Sequence, residues 1–172
     1  SDVRKVMRGN DIVLSDVGAH KMWVAREYNC TEPNTCLISN GFCTMGFALP
    51  GSVGAKMAFP EKKVLSINGD AGFLMNVQDL ETAVRTKINV VAIVWLDGEY
   101  GLIKWKQQVN FKGEHSDLMF ENPDFSSLAK SFGMWGKKIN SADDLIPSLH
   151  EAFKQEGPAI IGVPVDLSLI HI

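Results

Sequence analysis

No apolar run in this 172-residue sequence reaches the roughly eighteen residues that a membrane-spanning helix needs. No opening stretch carries the basic, apolar and small-residue succession of a secretory signal. Neither sign of charge dominates. The 17 Lys and Arg against 20 Asp and Glu leave a net charge of −3, too little to suggest nucleic acid or an anionic membrane as a partner. Cysteine is scarce: Cys30, Cys36 and Cys43 are odd in number and lack zinc-type spacing. Free thiols in a reducing compartment, and hence a cytoplasmic location, are expected. No G-x-G-x-x-G follows an apolar run, which argues against a nicotinamide or flavin dinucleotide site. Repeats and low-complexity tracts are missing too. What remains, 45% hydrophobic and 22% charged, is the composition of a globular domain long enough to bury its own core.

Apolar runs alternate with helical patterns along the chain. Strands are expected over residues 12–17, 35–39, 63–68, 89–95, 136–139 and 159–165. Helices are expected over 19–28, 44–58, 72–86, 100–108, 123–132 and 142–155. Several strands are near-continuous Val and Ile runs, as in a parallel sheet covered on both faces. The expected fold is α/β, a doubly wound parallel sheet of about six strands with helices on both faces. Asn122-Pro123 reads as an N-cap followed by Pro at the first helical position, and Ser141 precedes Asp143 and Asp144 in another first turn. Gly133 sits where a helix end favours a left-handed residue. Pro50 implies a kink or a late start in the third helix.

The chain is organised around residues 69–101. Val64, Leu65, Ser66 and Ile67 run into a small-residue turn bearing one carboxylate, Asp70. A helical pattern follows, with Phe73, Val77, Leu80, Ala83 and Val84 about three or four residues apart. A second apolar run, 90–95, ends in a turn with another carboxylate, Asp97. Strand, helix and parallel strand bring both strand ends to one edge of the sheet, the edge where open α/β sheets bind ligands. Asp70 and Asp97 can then lie side by side. Adjacent carboxylates repel unless one takes up a proton or a cation joins them. Mg²⁺ accepts one or two carboxylates together with carbonyl, water and phosphate oxygens. Ala71 and Gly72 let the backbone approach such a phosphate at a helix start. The competing reading makes each Asp a plain turn or cap residue.

This stretch resembles the diphosphate-binding motif of thiamine diphosphate enzymes, G-D-G, a long spacer, then N-N. The likeness runs from about Val13 to Asp166 and is most similar to acetolactate synthases. Ala71 stands at the third motif position, and Leu96-Asp97 replaces N-N, as in the catabolic, FAD-independent type. The resemblance implies thiamine diphosphate and Mg²⁺ as cofactors, with the metal held by Asp70, Asp97 and the carbonyl of Glu99. It places Ala71 and Gly72 on the diphosphate, along with Ala19 and His20 of the turn Asp16-Val17-Gly18-Ala19-His20. It gives the aminopyrimidine to Cys43, through its carbonyl, to Thr44, and to Met45, a wedge that bends the cofactor into its reactive shape. Tyr100, Gly101, Leu102 and Ile103 would line the thiazolium and substrate pocket. Read without the resemblance, His20 is an incidental residue at a helix start, Asn40-Gly41 is a turn, and Met45, Leu102 and Ile103 are ordinary packing.

The activity so implied is decarboxylation of pyruvate and joining of the fragment to a second pyruvate, giving 2-acetolactate. Lys106 stands where anabolic relatives place a size-reading Trp, so their acceptor preference does not transfer. No catalytic residue is expected in this chain. In the family the activating Glu comes from a pyrimidine-binding domain on a neighbouring subunit, and Glu27, Glu81 and Glu99 match no such motif. Residues 1–166 are expected to be the C-terminal cofactor-binding domain of a longer, homo-oligomeric enzyme, inactive alone. Residues 167–172 read as a tail that departs from the family's continuation, as a cloning remnant would. Residues 107–121 read as an exposed loop, with His115 and His150 facing solvent. Two rival readings stand: a domain of another thiamine diphosphate-dependent 2-oxo acid decarboxylase or lyase, and a non-catalytic module for a phosphorylated ligand.

Overall fold

Uninterrupted Val and Ile runs need apolar cover on both sides, and the computed structural model, which describes residues 2–167, supplies it. Six strands, β1 (Ile12–Ser15), β2 (Cys36–Ile38), β3 (Val64–Gly69), β4 (Val91–Leu96), β5 (Trp135–Lys138) and β6 (Ala159–Pro164), form one sheet in the order β2-β1-β3-β4-β6-β5. Every pairing is parallel, with Ile67 beside Ile93 and Ile93 beside Ile161 at the centre. The helices are α1 (Asp2–Val6), α2 (Ala19–Glu27), α3 (Ala48–Ala58), α4 (Asp70–Met75), α5 (Asp79–Arg85), α6 (Gly101–Asn110), α7 (Phe125–Ser131) and α8 (Leu145–Ala152). Strand alternation sorts the core. Val13, Leu65, Ile67, Val91 and Ile161 pack with Val6, Val24 and Leu149 of α1, α2 and α8. Ala92, Val94 and Ile160 turn the other way, onto Leu49, Phe73, Leu80 and Phe125. The doubly wound expectation holds.

Strand order also locates the site. From β1 the chain moves outward to β2, whereas from β3 it moves the opposite way to β4. The crevice between the C-terminal ends of β1 and β3 is therefore a topological switch point, the place where such sheets bind ligands.

The boundaries differ from expectation in instructive ways. The helix expected over 72–86 is two helices, because Asn76 leaves the helical conformation and donates its amide to the Gly46 carbonyl at 2.8 Å. Asn readily trades a helix interior for such a bond. The third helix starts late, at Ala48, which puts Pro50 in its first turn, where no N–H is missed. Asp124, not Asn122, caps α7, accepting from the Ser127 N–H at 2.6 Å. Ser141 does close a capping box with Asp144, but on a short 3₁₀ turn before α8. α1 was not expected at all; Val3 and Val6 dock it on the core. The three cysteines are free. Among the described residues no helix is long and apolar enough to cross a membrane. All of the expected tail except Leu167 lies outside the described residues.

Candidate functional site

Four loops meet at the switch point. Asp16, directly after β1, is fully buried and accepts from the Val17, Gly46 and Phe47 N–H groups at 2.8, 2.9 and 3.3 Å. One side chain thus ties the β1 turn to the loop that enters α3. Burial pushes the Asp16 carboxyl up, and the three N–H donors pull it back. A side chain on Gly72 would put its Cβ 2.6 Å from the Asp16 carboxylate. Gly72 is therefore a glycine on account of Asp16, as well as a point where backbone lies bare.

Asp70 begins α4 with only 1% of its surface exposed. One oxygen accepts from the Ala71 N–H, and the other from the Gly98 N–H and the Asn122 amide. The Asp97 carboxyl lies near enough to that of Asp70 to feel its charge. Burial first, and then the Asp70 charge, raise its pKa from 3.8 to about 7. The neighbouring negative charge disfavours ionisation of Asp97. Glu99 adds negative charge nearby, but its own carboxylate pairs with Lys104 at 2.6 Å.

His20 opens α2 and is 2% exposed, its ring pressed against Gly18 and Gly69. A Cβ on Gly18 would stand 2.6 Å from the ring, and its φ of +158° is one that L side chains rarely adopt, so contact and backbone both demand glycine there. Burial lowers the imidazole pKa to about 4, against the opposing pull of Asp16 and Asp70. The ring is neutral at pH 7. Its Nε2 is buried with no hydrogen-bond partner, an orphan that costs free energy unless a ligand meets it. Trp95 stands 5.9 Å from the ring and stacks on Trp23 at 5.0 Å.

His20, Asp70, Gly72, Trp95, Asp97 and Glu99 line one open cleft of about 110 Å³. Of the residues expected there, Ala19 and His20 enter from the β1 turn, Met45 from the loop before α3, and Asp70, Ala71 and Gly72 from the β3 turn. Asp97, Glu99, Tyr100, Gly101, Leu102 and Ile103 enter from the β4 turn and α6. Cys43 and Thr44 do not line it. They sit in an exposed loop, where the Cys43 thiol lies 3.3 Å from the Lys21 ammonium and the Thr44 N–H donates to the Ser39 hydroxyl at 3.3 Å. Trp95, Val165 and Leu167 line the cleft without having been expected. Asp16 and Asn122, also unexpected, hold its walls. Asp16 repeats the strand-end carboxylate pattern of Asp70, a signal that was there to read; Asn122 had none.

Residues 16–163 match the family described as thiamine pyrophosphate enzyme, C-terminal TPP binding domain. The chain belongs to this family. It is 41% identical to an acetolactate synthase of Bacillus subtilis over 97% of this chain and 29% of the relative. To a catabolic acetolactate synthase of Raoultella terrigena it is 38% identical, over 95% of this chain and 30% of that one. The chain thus spans under a third of these relatives. The fold is also that of a thiamine diphosphate-dependent 4-hydroxybenzoylformate decarboxylase of Rhodococcus jostii, with a TM-score of 0.88 at 24% identity over 96% of this chain and 31% of that one.

The cofactor of this family is thiamine diphosphate, and the cleft fits it. The orphaned His20 Nε2 and the bare backbone at Gly18 and Gly72 suit an anionic group. The neighbouring carboxyls of Asp70 and Asp97 suit a divalent cation, which would relieve their repulsion. Among the described residues no group of three or more His, Cys, Asp or Glu can hold a metal. A cation at Asp70 and Asp97 therefore needs carbonyl, water or ligand oxygens as well, a set that suits Mg²⁺ better than zinc.

Proposed function

We propose that the chain, over residues 1–166, is the cofactor-binding domain of a longer thiamine diphosphate-dependent acetolactate synthase. Asp70, Asp97 and the Glu99 carbonyl would hold Mg²⁺ on the cofactor diphosphate, with the Glu99 side chain kept aside by Lys104. The placing of Asp97 beside the buried Asp70 carries this reading, because a cation between two neighbouring carboxylates relieves their repulsion. His20, neutral at pH 7, would offer the diphosphate a hydrogen bond and no charge. Met45, Leu102 and Ile103 present apolar surface that excludes water and fixes the shape of the bound cofactor. Once bound, thiamine diphosphate supplies the electron sink for breaking and making a carbon–carbon bond beside a carbonyl.

The substrate proposed is pyruvate, because the relatives with the highest identities reported above are named acetolactate synthases. The activating Glu would come from a pyrimidine-binding domain on a neighbouring subunit of a cytoplasmic homo-oligomer. Ile103, at the cleft, and Trp105, Val109 and Phe111, further along and just after α6, expose apolar surface that suits coverage by such a domain. The test is product analysis from pyruvate. The chain alone should form no acetolactate, and the chain joined to the pyrimidine-binding domain should form it. Acetolactate from the chain alone, or an aldehyde as sole product of the joined protein, would contradict the proposal; the aldehyde would favour a simple decarboxylase.

A further inference from the structure

Residues 118–122 lie across the turn that follows β4. The Tyr100 N–H donates to the Leu118 carbonyl at 3.0 Å, and the Phe120 N–H donates to the Gly98 carbonyl at 2.9 Å. Glu99 and Met119 pair as an isolated antiparallel bridge, and the Tyr100 and Phe120 rings meet at 5.3 Å. Leu118 is 7% exposed. The segment is thus a strap, anchored on the turn that carries Asp97 and Glu99.

Its last residue reaches the other carboxylate. The Asn122 amide Nδ2 lies 2.5 Å from the Asp70 oxygen that also accepts from Gly98. Helix capping does not account for this side chain, since Asp124 caps α7. The other amide atom, Asn122 Oδ1, is buried and has no partner. An orphaned acceptor beside a two-carboxylate site needs a donor to complete it.

We propose that Asn122 is a positioning residue for the cation site. Its amide N–H holds the Asp70 carboxylate in one orientation, and its orphaned oxygen accepts a hydrogen bond from water on the bound cation. This rests on the reading of Asp70 as a cation ligand given above. Mg²⁺ keeps several waters when it binds to one or two carboxylates, and those waters require acceptors. Groups in this outer position set the orientation of the ligands and commonly alter metal affinity about ten- to hundredfold. The strap therefore joins the two halves of the site, Asp70 after β3 and Asp97 after β4, through one amide.

The test is a Mg²⁺ titration of thiamine diphosphate binding to the full chain, read by tryptophan fluorescence because Trp95 lines the cleft. The parent is compared with Asn122→Ala, Asn122→Gln and, as reference, Asp70→Ala. Asn122→Ala should raise the half-saturating Mg²⁺ about tenfold or more. It should reach the parent's cofactor affinity once Mg²⁺ saturates, and melt close to the parent when no ligand is present. Asn122→Gln, which keeps the amide, should fall between the two. An unchanged Mg²⁺ requirement in Asn122→Ala overturns the inference while leaving the cation site standing. So does a loss of binding that saturating Mg²⁺ does not restore. If the parent shows no Mg²⁺ dependence, or Asp70→Ala keeps it, the reading of Asp70 as a ligand falls first and the inference with it.

Discussion

Without a cation, Asp97→Asn should make the protein more stable at pH 8, not less. Burial and the neighbouring Asp70 raise the Asp97 pKa from 3.8 to about 7. A carboxyl whose pKa is higher folded than unfolded binds its proton more tightly when folded. Its contribution to stability is full below about pH 4 and is lost as pH rises to about 7. Roughly three units at about 1.4 kcal/mol each set an upper bound of about 4 kcal/mol. Asp97 is only partly buried, and solvent screening brings the expectation to about 2–4 kcal/mol. The amide of Asn stays neutral at both pH values. Urea unfolding in EDTA at pH 4 and pH 8 reads the difference directly. The two proteins should match at pH 4, and the variant should be more stable at pH 8. Saturating Mg²⁺ and thiamine diphosphate should reverse the order, because ligand binding stabilises the better binder. A stability gap that is the same at both pH values, or a variant less stable at pH 8, refutes the repelling pair.

Asp16→Ala leaves the Val17, Gly46 and Phe47 N–H groups without their acceptor. It should cost about 3 kcal/mol or more in urea unfolding, and a cost below about 1 kcal/mol would mean that the two loops do not depend on it. Burial lowers the His20 pKa from 6.5 to about 4, so its contribution is present above pH 6.5 and lost as pH falls towards 4. That amounts to about 3 kcal/mol; His20→Gln should flatten this limb, and an imidazole NMR titration midpoint near 6.5 would contradict it. In Gly136→Ala the new Cβ would stand 2.4 Å from the Ala129 Cβ. Overpacking of this kind costs about 1–3 kcal/mol, and Ala129→Gly in the same chain should recover part of the lost melting temperature.

All six strands, the parallel sheet and the pairing of Asp70 with Asp97 were legible, because strand periodicity and crossover handedness are local or nearly universal rules. What was not legible depended on partners distant in sequence. Asn76 breaks the helix expected over 72–86 because its amide finds Gly46, thirty positions away. Asn122 looked like a helix cap because Pro follows it. The cap fell instead to Asp124, and Asn122 was left to reach Asp70. Asp16 has the same place at its strand end as Asp70, yet its carboxylate is consumed by three backbone N–H groups. Pattern alone does not tell a bracing carboxylate from one open to a ligand. Residues 107–121 are exposed as expected for most of their length, but Leu118 is buried and Phe120 pairs with Gly98, which makes the end of the segment part of the site. His115 and His150 are exposed, as expected. Trp95 went unnoticed because it looked like the last residue of an apolar strand, whereas the strand ends at the cleft and its ring forms a wall there.

The central claim is that Asp70 and Asp97 hold a cation that anchors the cofactor. Calorimetric titration of the chain with thiamine diphosphate, with and without Mg²⁺, tests it most directly when repeated on Asp70→Ala and Asp97→Ala. Binding that requires Mg²⁺ in the parent and is lost in both variants is the predicted result. Mg²⁺-dependent binding that survives both substitutions would contradict the claim.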